Sequence, residues 1–255
     1  MNDLIRGVRI ASAAVVVGAS VLALGPASAT AQMGGQGFVF QHPKVSVAFH
    51  GGYAVPSANS DLFDQTTTDL RLGRDDFHAP YVGGELAVWV SERWDVALDV
   101  GHAWSTTRAE WDAYLEDGRP IWQVVELART PVTVSGKYYL TDRGRTIGRF
   151  VWIPARVTPF LGGGLGFMRY RFAQDGDFVV EETLEIFTDR IEQVGTAFTA
   201  HGFAGADVHL AKALYLSTKV RYMWARDGLD RSLYNEFEPV DLSGVQVTLG
   251  LGVRF

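Results

Sequence analysis

Three places in the chain bring together side-chain types that could do chemistry. The first is His102 followed three residues later by Ser105, a possible base and nucleophile for acyl transfer. Residues three apart on a strand point to opposite faces, so the pair is expected not to meet. The second is the charged turn Asp75, Asp76 and His78, where acids beside a histidine could activate water against a peptide. A solvated loop needs the same residues, and that is the expected reading. The third is Gly162, Gly163, Gly164 and Gly166, which has the composition of a phosphate cradle. No Walker lysine or helix pattern follows, and "FMRYRF" continues as strand, so these glycines are expected to pack against neighbouring strands. His201 and His209 lie eight residues apart, roughly 26 Å along a strand, too far to share a metal. Zero cysteines remove thiolate nucleophiles, thiolate metal sites, lipoprotein anchoring and disulfides together. The expectation is therefore no catalytic centre, no metal and no cofactor. The run Arg143, Arg145, Arg149 and Arg156 is expected on a solvated or headgroup-facing turn.

Composition narrows the partners. The chain has 255 residues, 47% hydrophobic and 20% charged, with a net charge of -6. That leaves no basic footprint for nucleic acid. Near the N-terminus Arg6 and Arg9 precede an uncharged apolar stretch from Ile10 to Leu24, then Gly25-Pro26 and the small-residue run "ASATAQ". This is the pattern of a secretory signal peptide cut after Ala31. At about 15 residues the stretch is short of the roughly 20 that a membrane helix needs. The expected organisation is a signal peptide over 1–31, a linker over 32–44 and one domain over 45–255.

The elements that position side chains in that domain are strands, because apolar residues recur at spacing two far more often than at three and four. Val245, Val247, Leu249, Leu251, Val253 and Phe255 alternate with Gly244, Gln246, Thr248, Gly250, Gly252 and Arg254 without an error over 12 residues. Similar alternation sets Val45, Val47, Phe49 and Tyr53 against Ser46, Ala48 and His50, and Val82, Leu86 and Val88 against Glu85 and Ala87. It recurs near 94–105, 132–140, 198–209 and 214–224, while "TPFLGGGLGFMRYRF" reads as a strand of ambiguous facing. Eight strands result. The connections over 54–80, 106–125, 173–192 and 227–241 are long and polar, and those over 91–93 and 211–213 are very short. The connection over 141–157 is intermediate, with "FVWIP" apolar enough to extend a strand.

Long connections at one end and short ones at the other suit a transmembrane barrel. The polar faces are rich in Gly, Ala, Ser and Thr, whereas a water-facing exterior would carry about 25 to 35% charged residues. Aromatic girdles are expected at both rims: Trp94, Tyr138, Tyr139, Phe160, Tyr215 and Phe255 at one, Tyr53, Tyr81, Trp104, Tyr170, Tyr222 and Trp224 at the other. The predicted fold is all-β, an eight-stranded antiparallel up-and-down transmembrane β-barrel following a cleaved signal peptide.

From Val45 to Phe255 the chain resembles the small eight-stranded outer-membrane β-barrel proteins of Gram-negative bacteria. The terminus "VQVTLGLGVRF" resembles the signal read by the barrel assembly machinery, with Phe255, Val253, Leu251, Leu249 and Val247 matching. "VTPFLGGGLGF" is similar to a glycine-rich strand of such barrels. No peptidoglycan-binding segment follows Phe255 in this sequence, unlike the larger relatives. The resemblance implies placement in the outer membrane among lipid and lipopolysaccharide, as a monomer. It also requires an enzyme alternative, since some such barrels hydrolyse lipids or peptides at the rim. The expected role is structural or surface-interacting, with a narrow pore for small solutes or ions as the alternative. Eight strands enclose a lumen that side chains can fill, which argues against a wide channel.

Strand phasing predicts what fills it. Glu85, Asp95, Asp99 and Asp207 face inward together with Lys137, Lys219, Arg221 and Arg254. Folding two strands about the 91–93 turn puts Glu85 opposite Asp99, two carboxylates roughly 5 Å apart that need a cation between them. Lys219 or Arg221 is the expected bridge in a network that plugs the lumen.

Overall fold

The protein is seen in a computed structural model that describes residues 39–40, 42–116, 119–148, 151–179, 183, 185–228 and 239–255. The signal-peptide reading of 1–31 lies outside them. Eight long strands dominate: β1 Val45–Pro56, β2 Ala79–Trp89, β3 Trp94–Glu116, β4 Arg119–Tyr139, β5 Val157–Val179, β6 Ile186–Ala211, β7 Leu214–Asp227 and β8 Gly244–Arg254. Each is antiparallel to the next, and β8 pairs with β1, so the sheet closes on itself.

The stagger of the closed sheet can be followed residue by residue. From Gly205 on β6 the ladder runs through Lys219, Thr248, Gly52, Tyr81, Ala103, Arg129 and Tyr170, and returns to β6 at Gly195. One circuit climbs ten residues. A shear of this size tilts the strands and leaves a lumen that side chains fill.

Apolar residues point out and polar residues in, the reverse of a soluble barrel. Phe49 is 74% exposed and Phe167 60%, while Asp95, Asp99 and Lys137 are at most 2% exposed. The outer belt is the large exposed apolar surface that a lipid bilayer covers. The chain is therefore an eight-stranded transmembrane β-barrel. On β5 the structure settles the facing: Gly162, Gly164 and Gly166 lie inward, and Leu161, Leu165 and Phe167 outward. The inward glycines leave room for rings from the next strands. A β-carbon at Gly162 would stand 2.5 Å from the Phe203 ring, and one at Gly205 2.6 Å from the Phe160 ring. Those two rings meet edge to face at 6.1 Å.

Four expectations need correction. Tyr139, Phe160 and Tyr215 of the first girdle, and Tyr81 and Tyr170 of the second, are buried in the lumen. Neighbours such as Tyr138 and Tyr139 cannot both face lipid at a period of two. Two of the connections expected as long loops are largely ladder, since pairing runs on to Glu116 with Arg119 and to Val179 with Ile186. The connection over 141–157 holds a hairpin, Gly144–Ile147 with Val151–Pro154, and Val39–Phe40 from the expected linker adds a third strand to it. Finally, the lumen is not polar throughout. The segment after β1 forms helix α1, Asp61–Asp69, whose Leu62, Phe63 and Thr66 are buried at the spacing of one helical face. Its apolar side chains join Phe77, Val125, Leu127, Met168, Tyr170 and Phe172 in a core at the loop end. Asp61 and Asp64 sit in its first turn, where the helix dipole favours acids.

The ring seats make a sharp test of this packing. Gly162→Leu should abolish the heat-modifiable folded form on gel electrophoresis. Gly136→Ala, whose new β-carbon would meet nothing nearer than 3.5 Å, should fold as the parent does.

Candidate functional site

The lumen is built in layers, and the one nearest the short turns rests on Arg143. Its guanidinium is 2% exposed, with Nη1 2.6 Å from Asp95 Oδ1 and Nε donating to the Glu92 carbonyl at 2.7 Å. It lies over the Trp89 ring at 3.5 Å and the Tyr139 ring at 4.5 Å. Trp152, from the added hairpin, packs edge-on against Trp89 at 5.6 Å. The expectation that Arg143 sits on a solvated turn is thus overturned. A run of arginines says nothing about which one folds back under the barrel. The signal in the sequence was Asp95, the first inward residue after a short turn, which needs a cation close by. Arg145 and Arg156 do lie exposed, and Arg149 is outside the described residues.

One layer up, Asp207 lies 3.1 Å from Arg254 Nη2 and accepts the Tyr139 hydroxyl at 2.9 Å. Arg254 also covers the Tyr215 ring at 4.3 Å. Above it the register pairs Glu85 with Asp99 across β2 and β3. Two facing carboxylates repel unless cations intervene. Lys219 Nζ donates to Glu85 Oε2 at 2.6 Å and reaches Asp99 Oδ2 at 3.4 Å. Lys137 Nζ donates to Glu85 Oε1 at 2.6 Å, and Arg221 Nη1 to Asp99 Oδ1 at 3.0 Å. His50 Nε2 stands 3.6 Å from Asp99 and the Tyr81 hydroxyl donates to it at 3.4 Å. The carboxylates and cations of this layer are all below 8% exposed.

The eight inward charges read from the sequence therefore fall into three groups. Glu85, Asp99, Lys137, Lys219 and Arg221 touch one another; Asp207 pairs with Arg254; Asp95 joins Arg143, a residue expected on the turn. Val247, Leu249, Leu251, Val253 and Phe255 all face outward, with 36% to 64% exposure. Phe255 also finishes the closure, its N–H donating to the Val45 carbonyl at 2.8 Å and its carbonyl accepting from Lys44 N–H at 2.6 Å.

The possible catalytic groups do not converge. His102 points outward, Nδ1 2.9 Å from the Thr130 hydroxyl, while Ser105 points inward. Asp76 accepts the Gly73 N–H at 2.8 Å and caps a short turn, and His78 lies 3.5 Å from the exposed Asp75. The glycines of β5 continue as strand and open into no loop.

No family model matches the chain, and no curated protein does. Among solved structures it is similar to Neisserial surface protein A, 12% identical over 87% of this chain and 100% of that one, with a TM-score of 0.44. A major outer membrane protein of Thermus thermophilus is 12% identical over 84% of this chain and 100% of that one, with a TM-score of 0.46. The N-terminal β-barrel domain of Pseudomonas aeruginosa OprF is 10% identical over 84% of this chain and 100% of that one, with a TM-score of 0.36.

Removing one member of a buried pair strands the other, at a cost of about 3 to 5 kcal/mol when water stays out. Arg221→Met and Asp99→Asn should each lower stability by about that much in urea unfolding of the refolded barrel. The double variant should lose clearly less than the two losses combined; strict additivity would show that the two groups act separately.

Proposed function

We propose that this chain is an outer-membrane barrel, delivered after removal of 1–31 and inserted by the barrel assembly machinery through the Val247 to Phe255 strand. Its role is structural or surface-interacting, and it does not conduct. What supports this reading is the set of side chains that the described residues place along the lumen. Arg143 and Trp152 lie buried at the short-turn end, paired charges in the middle, and the α1 core at the loop end. A solute would have to displace ion pairs and an apolar core together.

What remains for an environment to meet is the lipid belt and the surface beyond it. There β3 to β6 continue as a wall of paired strands, with Gln123 opposite Gly176 and Phe178 opposite Phe187. Its outer face carries ion pairs, Arg171 with Glu192 at 2.7 Å and Arg190 with Asp175 at 3.1 Å. The hydrogen bond from Arg171 holds the Glu192 carboxyl below the usual carboxylate range. Arg108 lies over the Trp122 ring at 4.0 Å, and Phe178 stacks on Phe187 at 5.9 Å. Charges mixed with aromatic rings suit lipopolysaccharide headgroups at the base of the wall and a partner surface above them.

Planar-bilayer recording should find no stable conductance from the refolded protein, and a steady large conductance would overturn the closed-barrel reading. Orientation has its own test, because Asn59 and Glu92 are both exposed at opposite ends of the barrel. In a chain without cysteines, Asn59→Cys should react with an impermeant maleimide on whole cells. Glu92→Cys should react only after the outer membrane is permeabilised, and equal labelling of both in intact cells would refute the orientation.

A further inference from the structure

The outer wall of the barrel answers most of its arginines. Arg171 lies 2.7 Å from Glu192 and 3.8 Å from Glu126, Arg190 lies 3.1 Å from Asp175, and Arg108 covers the Trp122 ring at 4.0 Å. Arg169, two residues before Arg171 on the same face of β5, is exposed, and no ion pair or hydrogen bond joins it to another described residue. Its cross-strand neighbours carry hydroxyls and not acids: Thr130 on β4 and Thr196 on β6. Residues paired in this way on one face of a sheet have β-carbons roughly 5 Å apart, so the three side chains form one patch. His102 extends it, with Nδ1 2.9 Å from the Thr130 hydroxyl.

The patch sits where the apolar belt ends. One row nearer the short turns, Val132, Phe167 and Phe198 are paired in register and 45% to 60% exposed, and the two rings meet edge to face at 5.9 Å. A shear of ten residues over eight strands displaces a level plane by about 1.25 residues at each strand. By that count Trp104 on β3 and Arg226 on β7 stand within roughly 2 Å of the height of Arg169, with Trp224 just below. Both tryptophans are exposed, and exposed aromatic rings at one height mark the border between hydrocarbon and headgroups. Arg226 is opposite Phe198 in register and stands 3.9 Å from Asp241. The other acids nearby are turned elsewhere. Glu126 and Glu192 lie four residues further out, roughly 13 Å along their strands, with Arg171 between them, and Asp227 leans over Gly195 on the lumen side.

We propose that Arg169, with the Thr130 and Thr196 hydroxyls beside it, binds a phosphate group of an outer-leaflet glycolipid, a lipopolysaccharide, whose acyl chains lie against Phe167 and Phe198. The guanidinium supplies a charged fork that matches two phosphate oxygens, and each hydroxyl supplies one further donor. Arg226, two strands away, can take a second anionic group of the same headgroup. A single exposed arginine holds a free anion weakly in water. A phosphate fixed in the leaflet at this height is already beside it, at a high effective concentration, and the apolar row below holds the chains. The site rests on the outer-membrane reading above and narrows it to one headgroup on one stretch of wall.

The test is native mass spectrometry of the refolded protein in detergent micelles, titrated with lipid A that carries its phosphates or with the same lipid dephosphorylated. The phosphorylated form should bind about tenfold tighter, the worth of one hydrogen-bonded charged contact. Arg169→Gln should bring the two forms to equal affinity, Thr196→Val should narrow the gap by less, and Arg145→Gln at the short-turn end should leave it unchanged. Should Arg169→Gln fail to give the heat-modifiable folded form, the narrowing by Thr196→Val decides. Equal affinity of the parent for both lipids, a gap untouched by Arg169→Gln or by Thr196→Val, or displacement of lipid A by equimolar inorganic phosphate would each overturn the proposal. Cell fractionation separates it from the reading it rests on. A chain found outside the outer membrane refutes the placement and with it the site, whereas a chain in the outer membrane that shows no phosphate preference in micelles refutes the site alone.

Discussion

Closing eight strands on one another with a stagger of ten residues is the constraint from which the rest of the molecule follows. Closure removes every sheet edge within the membrane, where an unpaired N–H or C=O has no water to turn to. The same stagger sets the width of the lumen. With lipid covering the outside, no hydrophobic drive presses the wall inward, and cohesion across the barrel must come from side chains that meet in its centre. The glycines at 162 and 205 show how tightly this is drawn, since the rings of Phe203 and Phe160 occupy the space that larger residues would take.

The lumen meets that demand in two ways. In the half nearer the short turns it uses charge, with Lys219 between Glu85 and Asp99 and Lys137 and Arg221 on either side. At the loop end it uses an apolar core with α1 as its cover. Each suits its place. Inward strand positions close to lipid gain little from apolar side chains, because the outer belt already lies in an apolar medium, whereas paired charges tie strands that are far apart in sequence. Beyond the membrane the wall has water on its outer side, and an apolar core has its usual driving force there.

The strand count, the facing of each strand but one, and the opposition of Glu85 and Asp99 follow from a period of two and one short turn, because both are local properties of the backbone. Residues such as Val247, Leu249 and Leu251 carry that signal alone. Facing on β5 could not be read, since Gly162, Gly163, Gly164 and Gly166 put no side chains on either face to mark it. The partner of Asp95, the split of the girdle aromatics into lumen and lipid, and the core built by Leu62 and Phe63 were decided by tertiary structure. Arg143 reaches Asp95 across 48 residues, and Gln174 on β5 reaches Thr66 of α1 across 108. Contacts of that range depend on the shear of the closed sheet and on the path of a connection, and neither leaves a periodic trace in the chain.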